Sequence, residues 1–425
     1  MKDSCFRLMV LSFSLFCKIN MIVGARGGCF LSPSSSSSSS SSWLRQGYWY
    51  KKNPFPRWKR CVHPWMVGTT TSMTTKQFTI PSSTRLFSTE QIRTDAMEEM
   101  ANLIAYYNQV TSFVPPTMWK TNQEASTFVQ HHIDTVLFDC DGVLYRTSDT
   151  CPGAAECIEQ LMTMGKTVLF VTNNAGVNRR ELRDKLATIL NLPGLLTINQ
   201  MVSSSYSCAQ YLKQHLPSQQ HGRRVHVIGS AGLCEEIANH GFVVSGGPSQ
   251  DLPSMSRPEL EAYDFPEHPV DAIAVGHDTA FSFRKLCIAN NLLLRNPHAL
   301  FVATNEDSFD LVGDRIDPRH IPGNGCVVKA LEHCSRRRAI NVGKPSHTLA
   351  TLLQKEHGSL DPSRCLFVGD RLDTDIRFGN ENGMKSLLVM TGVTTADTMV
   401  HLQEGTMEEP LPHFVTSHIG MLVQP

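Results

Sequence analysis

The sequence predicts an α/β protein whose parallel sheets are covered by helices on both faces. Short, continuous apolar runs alternate with helical patterns from Ile133 onward, and continuous runs mark strands buried on both faces. Polar, chemically capable residues follow several of those runs, where open parallel sheets place their working sites.

The runs are Thr135 to Phe138, Thr167 to Val171, Val225 to Ile228, Ala272 to Val275, Leu300 to Ala303, Leu366 to Val368 and Leu387 to Val389. Asp139 and Asp141 follow the first, Thr172-Asn173-Asn174 the second, and Gly369-Asp370 the sixth.

The first ninety residues have a different composition. Residues 1 to 89 hold twelve Lys or Arg and one acid, Asp3, whereas the whole chain has 39 of each charge. They include an unbroken serine run, Ser34 to Ser42, and no apolar periodicity that would build a core. This composition is that of an organelle-targeting presequence, and Arg85-Leu86-Phe87-Ser88 looks like a mitochondrial cleavage site. An apolar stretch, Leu8 to Cys17, preceded by Lys2 and Arg7, also suits the signal-then-transit order of plastid import. Mitochondrion and plastid therefore both stand as destinations, with a cytoplasmic protein bearing a disordered extension as the alternative. That stretch is far shorter than the about 20 residues that span a bilayer, so no membrane partner is expected. Residues 90 to 130 read as a linker with an amphipathic helix over Glu90 to Tyr107, carried by Ile92, Met97, Met100 and Ile104.

Beyond the tail the chain is anionic, which argues against a nucleic-acid binder, since such proteins present a basic face to backbone phosphates. Thirteen cysteines without a CxxC pair fit neither a disulfide framework nor a zinc site. They read as reduced thiols.

The chemistry starts at Asp139-Cys140-Asp141-Gly142. Two carboxylates two positions apart on extended chain project to one side, and their repulsion calls for a cation. A hard divalent ion with oxygen ligands, magnesium above all, meets that need. Phosphoryl transfer to a carboxylate is also an anion attacking an anion, eased when a metal and fixed cations neutralise the phosphate oxygens. The sequence offers such groups in Thr172 to Asn174, Lys344, Asp370, Asp373 and Asp375.

Asp139-Cys140-Asp141-Gly142-Val143-Leu144 resembles the DxDGxL signature of the haloacid-dehalogenase superfamily. Phe170 to Asn174, Gly343-Lys344-Pro345-Ser346 and Val368 to Ile376 resemble its second, third and fourth motifs. The wording is similar to the branch of phosphoglycolate, pyridoxal and 4-nitrophenyl phosphatases, over roughly Asp134 to Thr395. The resemblance implies a Rossmann-like core, residues 131–222 and 341–425, with an inserted α/β cap of the C2 type at 223–340. It implies Asp139 as nucleophile and metal ligand, and Asp141 as general acid and base that lends its backbone carbonyl to the metal. Thr172 and Asn173 would hold phosphate oxygens, Lys344 would neutralise the phosphoryl group, and Asp370 would complete a magnesium site with Asp375 behind it or touching a metal-bound water.

Within Glu306 to His320, Arg315, Arg319 and His320 are candidates for reading a substrate carboxylate. The expected reaction is hydrolysis of a small phosphate ester through an aspartyl phosphate, 2-phosphoglycolate first, with pyridoxal phosphate or broad specificity as alternatives. A catalytically silent binding protein is the non-enzymatic alternative. Relatives of this branch suggest a homodimer paired through the cap.

Overall fold

The computed structural model describes residues 116–216, 223–265, 269–313, 318–358, 360–403 and 407–424. The presequence assigned to 1–89, the helix expected over Glu90 to Tyr107 and the cap candidate Arg315 lie outside them.

Two parallel sheets organise the described chain. The larger contains β1 (Thr117–Met118), β2 (Thr135–Phe138), β5 (Thr167–Thr172), β6 (Met201–Ser203), β14 (Cys365–Gly369), β15 (Lys385–Val389) and β16 (Phe414–Thr416). Its order is β1-β16-β15-β14-β2-β5-β6, and every neighbouring pair is parallel. The smaller contains β7 (Arg223–Ile228), β8 (Phe242–Gly246), β9 (Ala272–Val275), β10 (Leu300–Ala303) and β13 (Ile340–Asn341), in the order β13-β10-β9-β7-β8, again all parallel. Two antiparallel hairpins complete the strands: β3 (Tyr145–Arg146) with β4 (Asp149–Thr150), and β11 (Phe309–Val312) with β12 (Arg319–Pro322).

Alternation along the strands explains the continuous apolar runs. On β2, Val136 and Phe138 enter one core cluster while Leu137 enters another. β14 does the same, with Leu366 and Val368 on one side and Cys365 and Phe367 on the other. β9 splits Ala272 and Ala274 from Ile273 and Val275. Each strand is thus covered twice, as parallel sheets demand.

Two expectations need adjustment. Residues from Thr117 onward are not a linker but the edge of the larger sheet. Trp119, 4% exposed, stacks on Phe414 with ring centroids 4.3 Å apart. Thr121 and Glu124 then form a capping box at the start of the helix Asn122–His132. An aromatic of this size buries more apolar surface on the sheet edge than a solvated linker would. The boundary drawn between 340 and 341 falls inside β13, whose Asn341 pairs with Ala303 of the smaller sheet. Among the described residues, no helix is long and apolar enough to cross a membrane.

Candidate active site

The ends of β2, β5, β13 and β14 converge. Asp139 leaves β2 with its N–H bonded to Val368 O at 2.9 Å, which ties it to β14 next door. Its side chain is buried, and Lys344 Nζ stands 2.7 Å from its Oδ1. Lys344 follows β13 and is itself 2% exposed. The same ammonium lies 2.8 Å from Asp375 Oδ1, an ion pair rather than an aligned hydrogen bond.

Asp375 reaches that position from a single π turn, Leu372–Ile376, closed by Ile376 N–H donating to Arg371 O at 3.1 Å. Such wide turns recur at functional sites. Its Oδ2 accepts from the N–H groups of Asp370 and Arg371, both at 3.1 Å. Asp139, Asp370 and Asp375 bring their carboxylate oxygens within 4.8 Å of one another. Asp375 thus stands beside Asp139 and Asp370, with one oxygen on Lys344 and the other on two backbone N–H groups.

The glycines of this region are spacers. Gly142 has φ +82°, and a Cβ there would meet Asp370 Oδ2 at 2.5 Å. A Cβ on Gly392 would approach the same oxygen to 1.8 Å. The DxDG pattern thus needs glycine both for its left-handed turn and for room beside Asp370.

Three buried carboxylates face one ammonium, so negative charge is in excess. Burial drives Asp139 well above the ordinary carboxylate range, against the pull of Lys344 and with added push from Asp375 and Asp370. Asp370 is raised by burial and then by Asp375. Burial works against the Lys344 charge, but Asp139 and Asp375 outweigh it and raise its pKa. One oxygen of Asp370, Oδ2, accepts from Val393 N–H at 2.6 Å. The other, Oδ1, is buried without a hydrogen-bond partner among the described residues. A buried unpartnered acceptor inside an anionic oxygen cluster fits a hard divalent cation.

Asp141 points elsewhere. Its carboxylate is open to solvent in the cleft yet crowded by protein, and this crowding raises its pKa against Lys185 and a bond from Tyr145. Tyr145 OH donates to Asp141 Oδ2 at 3.0 Å.

Thr172, buried at the end of β5, accepts the Asn174 N–H on its Oγ1 at 3.1 Å. The side chain of Asn173 is committed. Its Oδ1 accepts from Lys344 N–H at 2.8 Å, and its Nδ2 donates to Asp307 Oδ1 at 2.8 Å and to Lys344 O at 3.2 Å. Asn305 Nδ2 donates to Asn173 O at 2.7 Å, and Asn324 Nδ2 to Asn305 O at 2.8 Å. This chain of amides links the end of β5 to the β10 side of the smaller sheet.

The β11–β12 hairpin also leans on the larger sheet. Arg371 NH1 donates to Phe309 O at 3.1 Å, and its guanidinium sits 4.7 Å from the Phe309 ring centroid. On the Phe309 ring also stacks His320, with centroids 4.5 Å apart. Arg319 is exposed on β12. Nearer the catalytic carboxylates are Asp307, which accepts from Asn173 Nδ2 and is pushed up to about 6 by burial, and Asp310, whose charge adds to the upward shift of Asp141. Asp310 Oδ2 lies 3.0 Å from His277 Nδ1 and raises that imidazole. Asp307, Asp310, His277, Tyr145, Lys185 and Arg371 were not singled out from sequence. Of these, Arg371 lies within the fourth motif, and Asp307 and Asp310 lie within Glu306 to His320.

The profile of haloacid dehalogenase-like hydrolases matches residues 136–243, and a second profile of HAD-like hydrolases matches 341–420. Phosphoglycolate phosphatase 2 of Arabidopsis thaliana is 36% identical over 297 residues, which cover 69% of this chain and 93% of that protein. The chain belongs to the haloacid dehalogenase-like hydrolases. Other members agree: glycerol-3-phosphate phosphatase of Gallus gallus is 38% identical over 66% of this chain and 87% of its own length. A magnesium-bound glycerol phosphate phosphatase structure from Mycobacterium tuberculosis is 28% identical, with a TM-score of 0.53, covering 70% of this chain and 78% of that one. With phosphatases as relatives over 66 to 69% of the chain, this HAD-like hydrolase is a phosphoric monoester hydrolase.

Proposed function

We propose that the protein is a magnesium-dependent phosphomonoesterase working through an aspartyl phosphate at Asp139. The observation that carries this reading is the group Asp139, Asp370, Asp375 and Lys344, in which one ammonium faces three buried acids and Asp370 Oδ1 has no donor among the described residues. A divalent cation held by Asp139, Asp370 and the Asp141 backbone carbonyl would offset the charge shared by nucleophile and ester.

Asp139 attacks phosphorus, forming the acyl phosphate as the ester O–P bond breaks. Asp141 gives its proton to the leaving alkoxide oxygen, then takes one from the water that attacks phosphorus and frees Asp139. Lys344, fixed by Asp375, neutralises a phosphate oxygen. Thr172 offers its hydroxyl. Because the Asn173 amide is already engaged, the second motif contributes through backbone rather than through that side chain.

The smaller sheet, β7 to β10 with β13, taken with its hairpin as a cap, reads the rest of the substrate and excludes water. 2-Phosphoglycolate is the first substrate, in keeping with the Arabidopsis relative. A second reading, a hydroxyl-bearing ester such as glycerol 3-phosphate, is favoured by Asp307, held on Asn173 of the second motif, and by Asp310 close by on β11, since carboxylates accept from hydroxyls and repel a substrate carboxylate. Phosphate release with and without magnesium from these two esters, pyridoxal phosphate and 4-nitrophenyl phosphate decides among them. No release from any would refute the enzymatic reading. Residues 1–89 are proposed to address the protein to mitochondrion or plastid; a reporter fused to them that stays cytoplasmic would refute that.

A further inference from the structure

We infer that Tyr145 and Lys185 are positioning residues for the Asp141 carboxylate, a role that rests on the acid and base assignment above. Tyr145 is 1% exposed and clamped by backbone: Gly142 N–H donates to Tyr145 O at 2.8 Å, and Tyr145 N–H reaches Cys140 O at 3.4 Å. Its main chain is therefore tied to the Asp139–Asp141 loop, and its ring is buried with the hydroxyl on the Asp141 carboxylate.

The direction of the hydrogen bonds is forced. Lys185, on the helix Arg179–Ile189, places Nζ 2.9 Å from Tyr145 OH. An ammonium has only protons to give, so the phenol oxygen accepts from Lys185 and its single proton goes to Asp141 Oδ2 at 3.0 Å. A relay of one sense runs from Lys185 through Tyr145 to Asp141. It occupies Oδ2 and leaves Oδ1, which accepts no bond among the described residues, to face the reacting ester.

An open carboxylate on two rotatable bonds would otherwise sample several orientations. Catalysis by proton transfer depends on hydrogen-bond reach to the leaving oxygen, and misplacement by about 1 Å costs on the order of a hundredfold. Holding one oxygen fixes the other.

The test uses the full chain with saturating magnesium. Tyr145→Phe keeps the buried ring and deletes only the hydroxyl; Lys185→Met removes the donor. Each is compared with wild type for the 4-nitrophenolate burst from 4-nitrophenyl phosphate, whose leaving group needs no proton, and for single-turnover cleavage of whichever of 2-phosphoglycolate and glycerol 3-phosphate the wild type hydrolyses. The expected result is a fall of about 10- to 100-fold on the alkyl ester with a burst rate within about threefold of wild type. The double variant should be no worse than Tyr145→Phe, because both act through one relay. Equal losses on both esters, or no loss on either, overturn the proposal. Asp141→Asn separates the two levels: if it too fails to discriminate between the esters, the acid and base assignment falls. If it discriminates and Tyr145→Phe does not, only the positioning role falls.

Discussion

Replacing Asp370 by Asn tests whether negative charge is in excess at the carboxylate cluster. Three acids, Asp139, Asp370 and Asp375, share one ammonium, and burial together with mutual repulsion raises both Asp139 and Asp370. A folded state that holds carboxyl protons more tightly than the unfolded chain has its full stability below the ordinary carboxylate value. It loses that stability as pH rises through the raised values. Each such group contributes a slope of at most about 1.4 kcal/mol per pH unit. Removing Asp370 deletes one of the two groups and relieves the other, so metal-free Asp370→Asn should gain on wild type by about 1 kcal/mol or more per unit between pH 5 and 7. Urea unfolding in a chelator at pH 5, 6 and 7 measures this difference, and the remaining titrating groups cancel between the two proteins. Saturating magnesium should reverse the order. A cation at about a hundred times its dissociation constant adds roughly 2.7 kcal/mol to wild type, and the variant, lacking a ligand, should gain much less. A metal-free variant destabilised by the same amount at every pH would refute the reasoning, because Asp370 would then be a compensated structural group.

Two further outcomes follow from the same geometry. Asp139→Asn should stay folded while losing at least about a thousandfold in turnover, since an amide is no nucleophile toward phosphorus; circular dichroism and phosphate release check the two halves. Phe309→Ala should lower kcat/KM by roughly 5- to 50-fold with fold retained, because it removes one cation–π contact to Arg371 and one ring stack on His320, together about 1 to 2.5 kcal/mol. Steady-state kinetics measures this loss, and an unchanged kcat/KM would separate the hairpin from substrate reading.

The strands that carry the site were legible because they are buried twice. β2, β9 and β10 begin and end where their apolar runs do, and the polar residue following a buried strand end is a strong signal. The edges were not. The edge strands β1, β6 and β13, and β16 next to β1, are two or three residues long and get their burial from tertiary neighbours such as Trp119 on Phe414, which no local pattern contains. Asp375 was legible as an acid but not as a partner of Lys344, because the π turn that swings it inward adds one residue to the helical period. Lys185 lies in the amphipathic helix Arg179–Ile189 among Arg179, Arg180 and Arg183, where a lysine reads as a solvated face. Only Tyr145, delivered from a different segment, reveals its use.

Where Lys344 comes from bears on how chemistry and substrate reading are joined. It follows β13, the edge strand of the smaller sheet, but its ammonium lies between Asp139 of β2 and Asp375 beyond β14. Its backbone N–H and carbonyl are both held by Asn173, whose amide also binds Asp307 beside the hairpin. If the smaller sheet moves as a cap, the cation that neutralises the nucleophile is tethered to the moving part, and Asn173 registers both. A substrate that seats Asp307 and the hairpin poorly would then also seat Lys344 poorly, so a poor fit to the ester's organic part would slow phosphoryl transfer itself and not merely weaken binding.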